Sequence, residues 1–149
     1  MSTRSTTHFK GYDGETEAIL YRHCDGYIAC AGADLLEFLD GVRKQAQADA
    51  EGKGGGFWST GAGRSGLASA YVVWAAENDI QAEIMRADPG DIQYRYSVAR
   101  GEEQGTYKVT VDERIGYTDT WESRELMAEE VAEAQAEMEA RMKAYQRKS

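Results

Sequence analysis

His23 and Asp25 are the residue pair in this chain whose types best suit acid–base chemistry. Two residues apart on a strand, they lie on the same side, where a carboxylate can orient an imidazole for proton transfer. No serine or cysteine nucleophile is tied to the pair by its position in the sequence. We therefore expect a structural role, with Asp25 in a turn and His23 bonded to the backbone. The alternative is a catalytic role for the pair in an enzyme.

A glycine-rich run at residues 52–66 is the second candidate. Its last part, GAGRSG, matches the G-x-G-x-x-G pattern and opens a predicted helix. Backbone N–H groups at such a helix start can bind a phosphate. The dinucleotide fingerprint also needs a preceding parallel strand, and GGGFWST is a poor strand. The run indicates either a plain loop or a weak ligand site, whose residues would be Gly61, Gly63, Arg64 and Gly66.

A row of carboxylates is the most distinctive surface feature that the sequence predicts. Glu125, Glu129, Glu133 and Glu137 recur at every fourth position, which places them on one helix face about 6 Å apart along the axis. Such a row can imitate a nucleic acid backbone and occupy a basic groove, although one DNA strand carries its charges more densely. The alternative is an ordinary solvated helix face.

Charge and composition narrow the classes of partner. The 149 residues carry a net charge of −9, which disfavours direct binding of nucleic acid and favours a protein with a basic surface. No signal peptide or membrane-spanning run is apparent, so we expect a cytoplasmic protein whose two cysteines are free thiols. Cys24 and Cys30, even with His8 and His23, do not match a zinc ligand frame. We predict no metal and no cofactor.

The elements expected to position these residues form an α+β fold. We predict a loose segment over residues 1–16 and one domain over residues 17–149, with a glycine-rich loop at 52–66. The order β-α-α-β-β-β-α gives an antiparallel sheet of about four strands, two central helices and a long C-terminal helix over 124–146. Asp34 is predicted to begin the first helix in a capping box. A second helix is predicted at about residues 66–78. The predicted strands cover residues 18–24, 92–98, 106–112 and 115–121, and residues 82–86 are a further short candidate. The strand at 92–98 is expected to have Ile92, Tyr94, Tyr96 and Val98 inward, and the last strand Ile115, Tyr117 and Trp121.

The run ILYRHCDGYIACAGADLLEFL at residues 19–39 resembles the opening of a group of small phage and prophage proteins. Their recurring form is YRHxDGY, then a small-residue turn and LxxFL. The similarity also touches LASAYVVW at 67–74 and GDIQYRY at 90–96. This resemblance implies a viral or prophage source and a shared fold, and it transfers no role to any residue.

Together these observations predict a non-enzymatic phage or prophage accessory protein. It would bind a basic host protein in the bacterial cytoplasm through its acidic face and inhibit a nucleic-acid-handling or defence complex. The alternative is a nucleotide-binding or hydrolytic enzyme that uses the glycine run and His23 with Asp25. A third possibility is a homodimer through the C-terminal helix, whose apolar stripe is Met127, Val131, Ala134, Met138, Met142 and Tyr145.

Overall fold

A mixed six-stranded sheet is the frame of the molecule in the computed structural model, which describes residues 3–53 and 66–148. The strands are β1 (Ser5–Lys10), β2 (Thr16–Arg22), β3 (Glu83–Met85), β4 (Tyr94–Arg100), β5 (Tyr107–Arg114) and β6 (Trp121–Glu125). They lie in the order β3-β2-β1-β4-β5-β6. All neighbours are antiparallel except β1 and β4, which are parallel and join two antiparallel halves.

Three helices accompany the sheet, and the predicted α+β class is confirmed. They are α1 (Ala33–Ala50), α2 (Leu67–Glu77) and α3 (Ala128–Lys148), with a π-helical turn at Ile28–Gly32 that leads into α1. The connection from β2 to β3 contains both α1 and α2. Because the π-helical turn runs directly into α1, Gly32 holds the N-cap position and the predicted capping box does not form. The carboxylate of Asp34 instead accepts a hydrogen bond from Arg22 at 2.7 Å.

The sheet has more strands than predicted, because residues 5–10 form a central strand rather than part of a loose segment. The sequence STTHFK shows no apolar alternation, since Thr6 and His8 are polar and yet buried. Its threonines nevertheless suit a strand, because β-branched side chains pack well on a pleated surface. The parallel pairing of β1 with β4 also makes the sheet mixed instead of antiparallel.

The predicted strand at 115–121 and the start of the predicted helix at 124 are wrong. Residues 115–120 form the connection between β5 and β6, in which Ile115 and Tyr117 are exposed. The Ile115 N–H donates to the Thr120 carbonyl at 2.9 Å, and Gly116 adopts a φ of 62° that suits glycine. The chain then pairs as β6, so α3 begins only at Ala128.

The main core lies between one face of the sheet and the helices. Apolar side chains alternate along the central strands, so that Phe9, Tyr96, Val98 and Val111 share one face. They pack against two sets of buried helix residues. The first set belongs to α1 (Leu35, Phe38, Leu39 and Val42), and the second belongs to α2 (Leu67, Ala70, Tyr71 and Ala75).

The opposite face of the sheet carries a polar cluster. His8 and Arg95 project from β1 and β4 onto this face, and the segment between β3 and β4 brings Asp88 against them. Asp88 accepts hydrogen bonds from Arg95 at 2.7 Å and from the Gly90 N–H at 3.0 Å. Burial alone would raise the pKa of Asp88, but these bonds lower it below its usual value.

Candidate functional site

Backbone hydrogen bonds of Gly26 hold the turn after β2 against the sheet. Its N–H donates to the Thr3 carbonyl at 2.9 Å, and its carbonyl accepts from the buried Tyr96 hydroxyl at 2.9 Å. A Cβ on Gly26 would lie 2.9 Å from backbone atoms of Arg4 and Ser5, so only glycine allows this approach. Asp25 precedes it with a φ of 56°. The DGY part of the sequence run is therefore a close-packed turn.

The π-helical turn Ile28–Gly32 follows directly and forms a platform for the helices. Three successive N–H groups, of Cys30, Ala31 and Gly32, donate to the Tyr27 carbonyl at 3.0, 2.9 and 3.4 Å. The turn contacts both α1 and α3. Its small residues allow this close packing, which predicts that the first half of α3 is held against the body of the protein.

Arg124 anchors the beginning of α3 to the sheet. From β6, its guanidinium donates to both carboxylate oxygens of Glu130 at 2.8 Å and to Glu113 of β5 at 3.0 Å. The hydrogen bond to Glu130 is the main reason why the pKa of Arg124 is raised. Leu126 and Val131 are buried beside it. The first turns of α3 are therefore fixed by both charge and apolar packing.

The second half of α3 extends past the body of the protein. Every residue from 139 to 148 is exposed, and ten residues of α-helix span about 15 Å. Met142 and Tyr145 keep 57% and 77% of their surface exposed. Large apolar side chains with this exposure on a projecting helix are typical of an interaction surface.

An open cleft of about 490 Å³ lies between α3, the turn at Asp25–Ala29 and the edge of the sheet. Its apolar lining includes Ile28, Met138 and Met142, while its charged lining is Asp25, Glu113, Glu137, Arg124 and Arg141. A second depression of about 280 Å³ continues along α3 and shares Met138, Arg141 and Met142 with the cleft. We call the two together the α3 cleft. It combines apolar contact with charges of both signs, as protein-binding surfaces do.

Tyr94 lines the α3 cleft and donates a hydrogen bond to Glu113 at 3.2 Å. Burial, together with the negative charge of Glu113, raises the pKa of Tyr94 to about 12. The phenol is therefore protonated at neutral pH. It can donate a hydrogen bond in the cleft, but it is a poor general base there.

His23 and Asp25 have different surroundings in the structure. The Nδ1 atom of His23 lies 3.3 Å from the Tyr21 hydroxyl, and its Nε2 atom lies 3.8 Å from a carboxylate oxygen of Glu83. Asp25 lines the α3 cleft instead. The strand ends at Arg22, so the alternation that would place both side chains on one side stops before Asp25.

The predicted carboxylate row is shorter than expected. Glu125 lies in β6, where it is 3.8 Å from Lys108, and it does not belong to the helix face. Glu129, Glu133 and Glu137 do share a face of α3 and are exposed. Within the described ranges, none of these three carboxylates forms an ion pair. Glu137 also lies at the edge of the α3 cleft.

Most of the predicted glycine site lies outside the described residues, namely Gly61, Gly63 and Arg64. Gly66 directly precedes α2, and its carbonyl accepts from the Ala70 N–H at 2.8 Å. Among residues 3–53 and 66–148, no group of three or more potential ligands could hold a metal ion. In the same residues, no helix is both long enough and apolar enough to cross a membrane.

Sequence reasoning missed the residues that fix α3 in place. Arg124 was visible as a lone base in an acidic stretch, which is a signal for an ion pair, but its partner Glu113 is 11 positions away on another strand. It also missed the polar cluster of His8, Asp88 and Arg95, because this cluster depends on the parallel pairing of β1 with β4.

Comparison with known proteins adds no relative to this picture. No protein-family model matches the chain, and no significant match was found among curated proteins or solved structures.

Proposed function

We propose that this protein is a non-enzymatic binding protein that takes a basic protein partner on the acidic face of α3. The narrower form of the proposal, that the partner is a bacterial host protein in a nucleic-acid-handling or defence complex, depends on the resemblance to phage proteins. The observation that carries the proposal is the row of Glu129, Glu133 and Glu137, exposed and without ion pairs in the described structure.

The position of the row supports a role in binding. Glu129 lies in the first turn of α3, and the following turns carry Glu133 and Glu137 outward from the anchored part of the helix. The anchoring by Arg124 gives the three carboxylates a fixed spacing. A rigid row of like charges loses little conformational entropy when a partner binds, and it attracts a basic surface over a distance.

The enzymatic alternative receives less support from the geometry. It requires His23 to act with Asp25, whereas His23 contacts Tyr21 and Glu83 and Asp25 faces the α3 cleft. The glycine run that would complete such a site stays a prediction for residues 61–65. We therefore place the function at α3 and its cleft.

The test is affinity capture from a bacterial lysate at low and high salt, with mass spectrometry to identify bound proteins. We expect one stoichiometric partner at low salt that is lost at high salt, because exposed charges are screened. Glu129→Lys, Glu133→Lys and Glu137→Lys combined should abolish capture. Each exposed ion pair contributes roughly 0.2–1 kcal/mol, and reversal replaces attraction with repulsion of similar size.

The matched control changes three other exposed acids by the same charge: Glu77→Lys, Glu102→Lys and Glu103→Lys. This variant should retain capture, which separates the position of the charges from their number. Circular dichroism melting checks that both variants fold. Equal capture by the wild type and the α3 variant would show that the acidic row is not the binding surface.

A further inference from the structure

The face of α3 that lies away from the acidic row is apolar. Val131, Ala134, Met138, Met142 and Tyr145 are spaced by 3, 4, 4 and 3 residues. At 100° per residue they occupy an arc of about 80°, and the centre of this arc lies about 140° from that of Glu129, Glu133 and Glu137. The helix therefore presents two separate surfaces.

Only the first part of this apolar face is covered by the protein itself. Val131 is buried and Ala134 half-buried against the body, whereas Met142 and Tyr145 are mostly exposed. The spacing of three and four residues continues without a break from the covered part into the exposed part. Such a continuous seam is the pattern by which helices pair.

The charges of α3 are separated along its length. Residues 129–139 contain five glutamates and no basic residue, and residues 140–148 contain four basic residues and no acid. Two such helices in parallel would place like charges opposite each other. In the antiparallel orientation, the basic end of each helix faces the acidic half of the other, which is the favourable arrangement.

We infer that a second copy of this chain binds antiparallel along α3, with its residues 142–148 in the α3 cleft. The twofold axis would cross the helices near residue 140, so that Met138 of each copy faces Met142 of the other. The basic C-terminal end of the second helix then lies near Asp25, Glu113 and Glu137, which line the cleft. Such a contact is isologous and closes after two copies.

This inference goes beyond the proposed function and does not depend on it. Glu129 and Glu133 point away from the seam, so a basic partner could still approach the dimer from the other side of α3. Met142 and Tyr145 can be changed without altering the acidic row, whereas Glu137 contributes to both surfaces. The seam variant therefore tests the dimer while the acidic row stays intact.

Sedimentation equilibrium across micromolar to millimolar concentrations tests the dimer. We expect the wild type to pass reversibly from monomer to dimer, and Met142→Glu with Tyr145→Glu to stay monomeric throughout. Because both residues are exposed in the single chain, this variant should keep the melting temperature of the wild-type monomer. Tyr117→Glu, at an 85% exposed tyrosine remote from α3, is the matched control and should dimerise normally. A wild type that is monomeric at every concentration would overturn the inference, as would an equally dimeric seam variant.

Spin labels test the orientation. With Cys24→Ser and Cys30→Ser to remove the native thiols, Arg147→Cys carries one label on each copy. In the antiparallel arrangement the two positions are separated by about 20 Å along the helix axis, whereas a parallel pair would bring them within about 10 Å. Pulsed EPR distances near the shorter value would refute the antiparallel arrangement.

A charge reversal gives a second measure of orientation. Arg147→Glu with Lys148→Glu makes the C-terminal end of α3 acidic, so it should weaken the dimer at least tenfold by placing acid against acid. Lys53→Glu with Arg86→Glu makes the same charge change at exposed positions elsewhere and should leave the dimer unchanged. Unchanged dimerisation of the first variant would count against pairing of the basic end with the acidic half.

Discussion

The hydroxyl of Tyr96 joins the central strand β4 to the turn that precedes the π-helical segment. The side chain is fully buried, and its Oη donates to the Gly26 carbonyl at 2.9 Å. Tyr96→Phe keeps the aromatic ring in the core and removes only this bond. We expect the substitution to destabilise the whole fold, because the turn it releases also supports α1 and α3.

The magnitude follows from what the substitution leaves behind. A net hydrogen bond contributes about 1 kcal/mol, and a buried carbonyl without a donor costs about 1–3 kcal/mol. In the described structure, the hydrogen-bond donor to the Gly26 carbonyl is the Tyr96 hydroxyl. We therefore expect the free energy of unfolding to fall by about 2 kcal/mol, which corresponds to a decrease in Tm of about 4–8 °C for a chain of this length.

Urea denaturation followed by circular dichroism measures this change, with Tyr71→Phe as the matched control. Tyr71 is also buried in the core, but its hydroxyl makes no hydrogen bond to a described residue. The control should change the free energy of unfolding by less than about 0.5 kcal/mol. If the two variants lose the same stability, the hydrogen bond to Gly26 does not hold the turn and the reasoning fails.

Three further predictions concern the same framework. Gly26→Ala should destabilise by about 1–3 kcal/mol in urea, because its Cβ would meet backbone atoms of Arg4 and Ser5 at 2.9 Å. Burial lowers the pKa of His8 below its usual 6.5, so on acidification the unfolded chain binds this proton at a higher pH than the folded protein does. The free energy of unfolding should therefore decrease as the pH falls below about 6.5, and His8→Gln should reduce this slope. Arg124→Lys removes the planar guanidinium that bridges Glu113 and Glu130, and hydrogen exchange should become faster in the first turns of α3 by an amount equivalent to about 1 kcal/mol.

The elements with a strong apolar period could be predicted from the sequence. Helix α2 agrees with the helix predicted at about residues 66–78, although only one of its faces is buried and Val73 is 59% exposed. The hairpin of β4 and β5 agrees with the predicted strands at 92–98 and 106–112. In each case one face of the element packs on the main core, so the sequence period matches the structural period. Of the four residues predicted to point inward, Ile92, Tyr96 and Val98 are buried and Tyr94 is half-buried.

The prediction failed where the burial of a side chain does not follow its hydrophobicity. In β1, Thr6 and His8 are polar and yet buried, and His8 lies against Asp88, so burial does not follow hydrophobicity there. In the stretch after β5, Tyr117 and Ile115 are apolar but exposed, which imitates a strand pattern. Neither feature can be recognised before the parallel contact of β1 with β4 and the turn at Gly116 are known.

The acidic residues of the candidate site were predicted from the sequence, whereas the α3 cleft was not, and this difference has a physical cause. The identity of the exposed acids on α3 is a local property of a helix, so Glu129, Glu133 and Glu137 could be found from their spacing. The α3 cleft instead brings together Asp25 from a turn, Tyr94 from β4 and Met138 from α3. A site of this kind depends on long-range packing, which spacing along the chain does not encode.

The YRHCDGY run at residues 21–27 and the surface proposed to bind a partner have different roles in this structure. Gly26 and the small residues of the π-helical turn are fixed by backbone contacts with β1, β4 and the helices, so their types are constrained by packing. Glu129, Glu133 and Glu137 are exposed, and packing within one chain does not restrict them. Related chains should therefore keep the YRHxDGY turn and vary at these three positions, where a change of side chain alters the partner without disturbing the fold. A survey of such chains in which the turn varies while the three acidic positions stay fixed would reverse this assignment of roles.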